Sequence, residues 1–138
     1  MSGPLISITT ARIKEGKLED YKRFVRESME HFKAKEPQLI AMHMFLNEDG
    51  TEMTSIQVHP NSASMDFHLQ VLNKVLGEEM SEWVKRADFL EIKHLEVYGT
   101  PSASLLQSTQ QAVDSGVFTR SVKPVHLAGF TRSSVGVS

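Results

Sequence analysis

Residues 39–59, Leu39-Ile40-Ala41-Met42-His43-Met44-Phe45-Leu46-Asn47-Glu48-Asp49-Gly50-Thr51-Glu52-Met53-Thr54-Ser55-Ile56-Gln57-Val58-His59, read as two strands around a turn. Asn47 to Gly50 has turn chemistry, and the runs Leu39–Leu46 and Glu52–His59 have strand length and composition, so a β-hairpin is expected. The first of these strands is apolar at both parities. In an antiparallel sheet covered on one side, strands alternate apolar and polar, so this strand wants burial on both faces. Its second cover is either another copy of the same sheet or the chain's own C-terminal segment. A homodimer closed sheet against sheet is the expectation adopted.

Before the hairpin, Leu5–Ile13 is short and β-branched and ends at Glu15-Gly16-Lys17, which predicts a first strand. Leu18, Tyr21, Phe24, Val25, Met29 and Phe32 then recur at helical spacing among charged residues, the mark of an amphipathic helix over 17–35. Pro37 stops it. After the hairpin, Asn61 or Ser62 caps a second helix with the stripe Met65, Leu69, Leu72, Val75 and Leu76, interrupted at Gly77. A further helical stretch over 78–87, with Met80, Trp83 and Val84 inward, leads into the alternating segment Phe89–Tyr98, a fourth strand. The order β-α-β-β-α-β predicts an α+β, ferredoxin-like sandwich, one antiparallel sheet with two helices on one side.

Gly99-Thr100-Pro101 is a turn signal that closes this body. Residues 1–99 carry a net charge of −4 and residues 100–138 a net charge of +2, dividing the chain into a body and a C-terminal extension. The extension keeps Leu105, Leu106, Val113, Phe118, Val125, Leu127 and Phe130, residues that disordered segments lack, so it is expected to dock as an arm or to exchange with a partner. A helix over 102–113 and a short edge strand over 124–131 are its expected elements. With 138 residues the chain suits one domain, and with no cysteine it offers no disulfide, thiolate nucleophile or cysteine-bound zinc. No apolar run exceeds Leu39–Met42, far short of the ~20 residues that cross a bilayer. A net charge of −2 lacks the basic footprint of a nucleic-acid binder. Neither membrane nor nucleic acid is an expected partner, and a cytoplasmic location is expected from the absence of cysteine and of a basic-then-apolar leader.

The order of elements, the helix opening at Gly16-Lys17, the Glu36-Pro37 stop, and a hairpin leading into a capped helix with an inward His68 resemble the antibiotic biosynthesis monooxygenase family over residues 4–99. Where many members have a Glu-x-Trp step and a His nine residues on, this chain reads Gln57-Val58-His59 and then His68. The resemblance implies a dimeric α/β barrel with a small apolar pocket between sheet and helices in each subunit. Some members oxygenate quinol-like or phenolic aromatics there without metal or flavin, because a deprotonated electron-rich aromatic itself reduces O₂. It implies a small aromatic ligand, no cofactor, and His68 as base. A non-catalytic small-molecule-binding barrel is the alternative, and haem degradation a third, although Thr9 and Thr10 stand where haem-degrading relatives use Asn.

At about 100° per residue, His68 falls inside the apolar stripe of the second helix and so points at the sheet. A buried histidine satisfied by a carbonyl or water is its structural alternative. His59, at a strand end before Pro60, is the second catalytic candidate, set against a plain rim residue. Hairpin parity puts His43 and His59 on opposite faces, so a zinc site built from His43, His59 and His68 is not expected. His94 shares the parity of Leu90 and Ile92. Trp83, Phe89, Met65 and Leu72 are candidate pocket walls that core packing explains equally well, and Arg12 is a candidate anchor for an anionic substrate. With no phosphate-cradling glycine loop, Gly-x-Ser-x-Gly elbow or HExxH motif, nucleotide and hydrolase readings are set aside.

Overall fold

The computed structural model describes residues 3–74 and 89–132. Within them the elements run β1 (Leu5–Ile13), α1 (Leu18–Lys35), β2 (Ala41–Leu46), β3 (Glu52–His59), α2 (Ser62–Lys74), β4 (Leu90–Tyr98), α3 (Ala103–Asp114) and β5 (Thr119–Lys123). The helical stretch expected over 78–87, with Trp83, lies outside the described residues. The strand order is β2-β3-β1-β4-β5. The first four strands are antiparallel neighbours, and β5 adds parallel to β4. This is the α+β, ferredoxin-like arrangement with one strand appended. The sheet is open, with β2 and β5 as its edges, so a single chain closes no barrel.

Local chemistry explains the element ends. Glu19 and Asp20 open α1 and Lys33 and Lys35 close it, each matched to the helix dipole. Asn61 rather than Ser62 caps α2, its Oδ1 accepting the backbone N–H of Ser64 at 3.0 Å. Ser102 does the same for Leu105 N–H in α3.

The extension departs from its expected strand. The strand is Thr119–Lys123 and stops at Pro124, which has no N–H to give the ladder. Residues 125–131 instead cross the helix-free face without regular structure. Val125, Leu127 and Phe130 are 84%, 94% and 81% exposed, so this arm does not bury its apolar side chains on its own sheet. A cleft of about 740 Å³ remains between the arm and Ile6, Ile40, Val58 and Tyr98.

A bulge in β4 corrects one further expectation. Ala11 pairs with Ile92 but Thr10 pairs with His94, so the register slips by one residue and His94 turns to the helix-free face, away from the side of Leu90 and Ile92. There its Nδ1 meets Thr119 Oγ1 at 2.5 Å.

The helix-covered side holds two apolar clusters. Ala11, Ile13, Tyr21, Phe32, Met53, Val71 and Phe89 form one; Leu5, Met65, Leu95, Val97 and Leu105 form the other. Gly99, at φ +105°, turns the chain out of β4, and a Cβ there would sit 2.5 Å from the Pro4 carbonyl oxygen. Gly16, at φ +78°, has open space around it. Gly16→Ala is therefore expected to cost about 1–2 kcal/mol of backbone strain, and Gly99→Ala measurably more, both read by urea denaturation.

Candidate active site

Between the two apolar clusters the helix-covered side is polar. On β3 the residues facing the helices are Met53, Ser55, Gln57 and His59, all buried, while Ile56 and Val58 share the opposite parity. Ser7 on β1 lies opposite Gln57 and is buried too. From the helix side come Glu36, in the residue after α1, and Ser64 and His68 in the first half of α2. Burial of so many polar groups requires that they find one another.

Five of them, Glu36, Gln57, His59, Ser64 and His68, do so in two chains. His68 Nδ1 lies 2.8 Å and 3.0 Å from the two carboxylate oxygens of Glu36, both side chains being 2% exposed. His59, fully buried, lies 2.7 Å through Nδ1 from Ser64 Oγ and 3.0 Å through Nε2 from Gln57 Oε1. The two imidazole rings are 5.9 Å apart, and Phe32 packs on His68 at 4.8 Å between ring centroids.

Burial sets the charges. Loss of water pushes the Glu36 carboxyl up to about 7, and the negative end of α1 acts in the same direction. Loss of water pulls His68 down to about 4. The same cause, followed by repulsion from His68, pulls His59 down to about 4. At neutral pH both rings are therefore neutral, and the Glu36 carboxyl is raised far above its ordinary range, to about 7. One proton is thus free to enter or leave the Glu36–His68 pair in the working range.

Two cavities open beside Glu36. One, of about 390 Å³, is walled by Met29, Phe32, Pro37, Leu39, Ile40 and Met42. The other, about 490 Å³, is a groove lined by Glu36, Pro37, Leu39, Ala63, Ser64 and Phe67. Glu36 and Ser64 meet the groove, and the histidines stand behind them.

His68 and His59 are thus brought together, and His59 is a member of the buried cluster rather than a rim residue. Met65 and Leu72 bracket His68 along α2, each joined to a different apolar cluster. Phe89 is buried against Tyr21 and Phe24, in core packing. Arg12 is not in the site: its side chain is on the helix-free side, paired with Glu91 at 3.0 Å, since even positions of β1 point away from the helices. His43 lies on that same side, opposite Ile56, and among the described residues no three His, Asp or Glu side chains converge as a metal site. Glu36 and Gln57 enter the sequence reading only as a helix stop and as the residue in place of the family's Glu, and Ser64 not at all; none of the three is a candidate site residue there. Their signals are the inverted parity of β3 and an acid at the negative end of a helix.

No protein-family model matches the chain, and no curated protein matches it in sequence. Among solved structures it superposes on MupZ from Pseudomonas fluorescens with a TM-score of 0.67 at 19% identity, over 98% of this chain and 94% of that one. A Bacteroides thetaiotaomicron protein described as a candidate antibiotic biosynthesis monooxygenase gives 0.54 at 16% identity, over 69% and 85% of the two chains. The fold is that of the antibiotic biosynthesis monooxygenase-like proteins. A candidate monooxygenase from Shewanella loihica gives 0.53 at 16%, over 75% of this chain and 99% of its own. The latter two match about the length of the body, whereas MupZ is matched through the extension as well. At these identities the likeness is one of fold, and the chemistry rests on the residues.

The shifted groups fix the response to acid. Each histidine binds its proton near 6.5 when unfolded and near 4 when folded, so its stabilisation is present above 6.5 and lost as pH falls towards 4. Glu36, at 4.5 unfolded and about 7 folded, works the other way, stabilising below 4.5 and losing that contribution as pH rises to 7. Two groups oppose one, so unfolding free energy should drop by on the order of 3 kcal/mol between pH 6.5 and 4. In His59→Gln the remaining two groups offset each other, and the slope measured by denaturation at each pH should flatten.

Proposed function

We propose that this chain is a cofactor-independent monooxygenase of the antibiotic biosynthesis type, acting on a small aromatic, quinol-like substrate whose hydroxyl proton is taken by the Glu36–His68 pair. The buried contact of His68 Nδ1 with both oxygens of Glu36, beside two cavities, carries the reading. A base works best with its pKa near the operating pH, and the carboxyl raised to about 7 meets that condition. His68 donates its Nδ1 hydrogen to the ionised carboxylate and fixes it towards the groove. The deprotonated quinol then passes an electron to O₂, and the radical pair recombines at a ring carbon that carries hydrogen. The peroxide anion takes back the proton held by the Glu36–His68 pair, and loss of water from the H–C–OOH carbon leaves the quinone carbonyl. Leu39, Pro37 and Phe67 supply apolar walls to the groove, which Lys35 and Gln38 also line.

A buried polar network of this size is costly to maintain, which favours proton transfer over a pocket that only binds. A homodimer belongs to the same reading. The helix-free face presents Ile6, Ile8, Ile56 and Val58 in the middle of the sheet, with Phe45 and Ile40 57% and 41% exposed at its β2 edge. Such a face suits a second copy packed sheet against sheet, and the cysteine-free composition suits the cytoplasm.

Oxygen uptake with a panel of hydroquinones tests the activity. The wild type should consume O₂ above buffer, with kcat/KM rising through a midpoint near pH 7 as Glu36 ionises. His68→Ala should lower it by about 10²–10⁴-fold, and Glu36→Gln should remove the limb near pH 7. No uptake by folded wild type would sink the oxygenase reading. Light scattering at micromolar concentration should give the mass of two chains, and Ile56→Lys should return a monomer; a monomeric wild type would exclude the dimer.

A further inference from the structure

The second buried chain of hydrogen bonds has a direction. An amide oxygen only accepts, so with Gln57 Oε1 at 3.0 Å the hydrogen of His59 is on Nε2. Its Nδ1 is left with a lone pair, and the Ser64 hydroxyl, 2.7 Å away, donates to it. Ser64 is 6% exposed and meets the groove of about 490 Å³.

We propose that Ser64 is a nucleophile, with His59 as its general base and Gln57 as the group that orients the imidazole, and that it accepts small apolar acyl esters or thioesters from this groove. A nucleophile hydrogen-bonded to a base that is itself held by a third group is the arrangement that activates a serine. The Gly-x-Ser-x-Gly pattern is absent because the nucleophile sits in the first turn of a helix, Asn61-Ser62-Ala63-Ser64, rather than on a strand-to-helix elbow. Ser64 N–H is occupied by Asn61. The N–H groups of Ser62 and Ala63 have no acceptor within the helix, and with Ala63 in the groove wall they supply donors at the positive end of α2 for an oxyanion. Phe67, Leu39 and Pro37 form the apolar side that receives the acyl chain. Burial lowers the His59 pKa, which leaves Nδ1 unprotonated and able to accept the Ser64 proton at neutral pH, at the cost of a weaker base than an exposed imidazole.

In the step, Ser64 Oγ bonds to the acyl carbon as its proton passes to His59 Nδ1. The carbon–oxygen or carbon–sulfur bond to the leaving group then breaks, and the leaving atom takes that proton. Water attacks the acyl-serine, giving a proton to His59 Nδ1. The acyl–Oγ bond breaks and Oγ recovers the proton, releasing the acid. No oxidant is consumed, so this activity stands or falls independently of oxygen uptake.

Treatment of the full chain with a fluorophosphonate probe, followed by intact mass and peptide mapping, tests the assignment. One adduct per chain on Ser64 is expected, none on Ser64→Ala, and labelling at least 100-fold slower in His59→Gln, with circular dichroism confirming that each variant is folded. With p-nitrophenyl acetate the wild type should release a burst of about one equivalent of p-nitrophenol that Ser64→Ala lacks. Folded wild type without an adduct at Ser64, an adduct at another residue, or a burst surviving in Ser64→Ala would overturn the proposal.

Discussion

A buried hydrogen-bonding group is costly unless paired; the core of this domain carries several such side chains, and all but the Tyr21 hydroxyl among the described residues find a partner. Gln57, His59, Ser64, His68 and Glu36 occupy the middle of the layer between sheet and helices, where aliphatic side chains would pack at less cost. Their pairing dictates where the end of α1 lies relative to α2, because Glu36 must reach His68 across 32 residues of sequence. It also ties the start of α2 to the end of β3 through Ser64 and His59. The apolar residues are displaced into two clusters, one on each side.

The same inversion explains the other side of the sheet. If β3 gives its inward parity to Ser55, Gln57 and His59, its aliphatic residues Ile56 and Val58 must face outward, beside Ile6 and Ile8 of β1. The C-terminal arm crosses this face yet leaves Val125, Leu127 and Phe130 exposed. Polar interior and apolar exterior are thus two consequences of one strand pattern, which leaves a polar pocket on one side of the sheet and an apolar face on the other.

Much of the fold was legible in the sequence because it rests on periodicity. Leu5–Ile13, Glu52–His59 and the helix ending at Lys35 follow from spacing and stop signals alone. The bulge that turns His94 outward was not legible, since one inserted residue leaves no mark in an alternating pattern. The last strand was misplaced because Val125 and Leu127 alternate, whereas Pro124 ends the ladder before them. His68 could be found from its angle on α2. Glu36 could not be assigned as its partner, because the contact joins two distant elements. His59 could be named as a catalytic candidate from its place at the strand end, but not separated from a rim residue, because its burial depends on Ser64 and Gln57 closing around it.

The fold is shared with structures described as monooxygenases, but the side chains that would do chemistry here are the two linked pairs behind one groove. The chemistry proposed for them requires both imidazoles to be neutral and His59 to hold its hydrogen on Nε2. Nitrogen-15 NMR of the histidine side chains across pH 4 to 8 measures this directly. The account predicts that His59 and His68 remain neutral down to about pH 5, with His59 as the Nε2–H tautomer. Titration of either ring near its ordinary value of 6.5, or an Nδ1–H tautomer at His59, would contradict it.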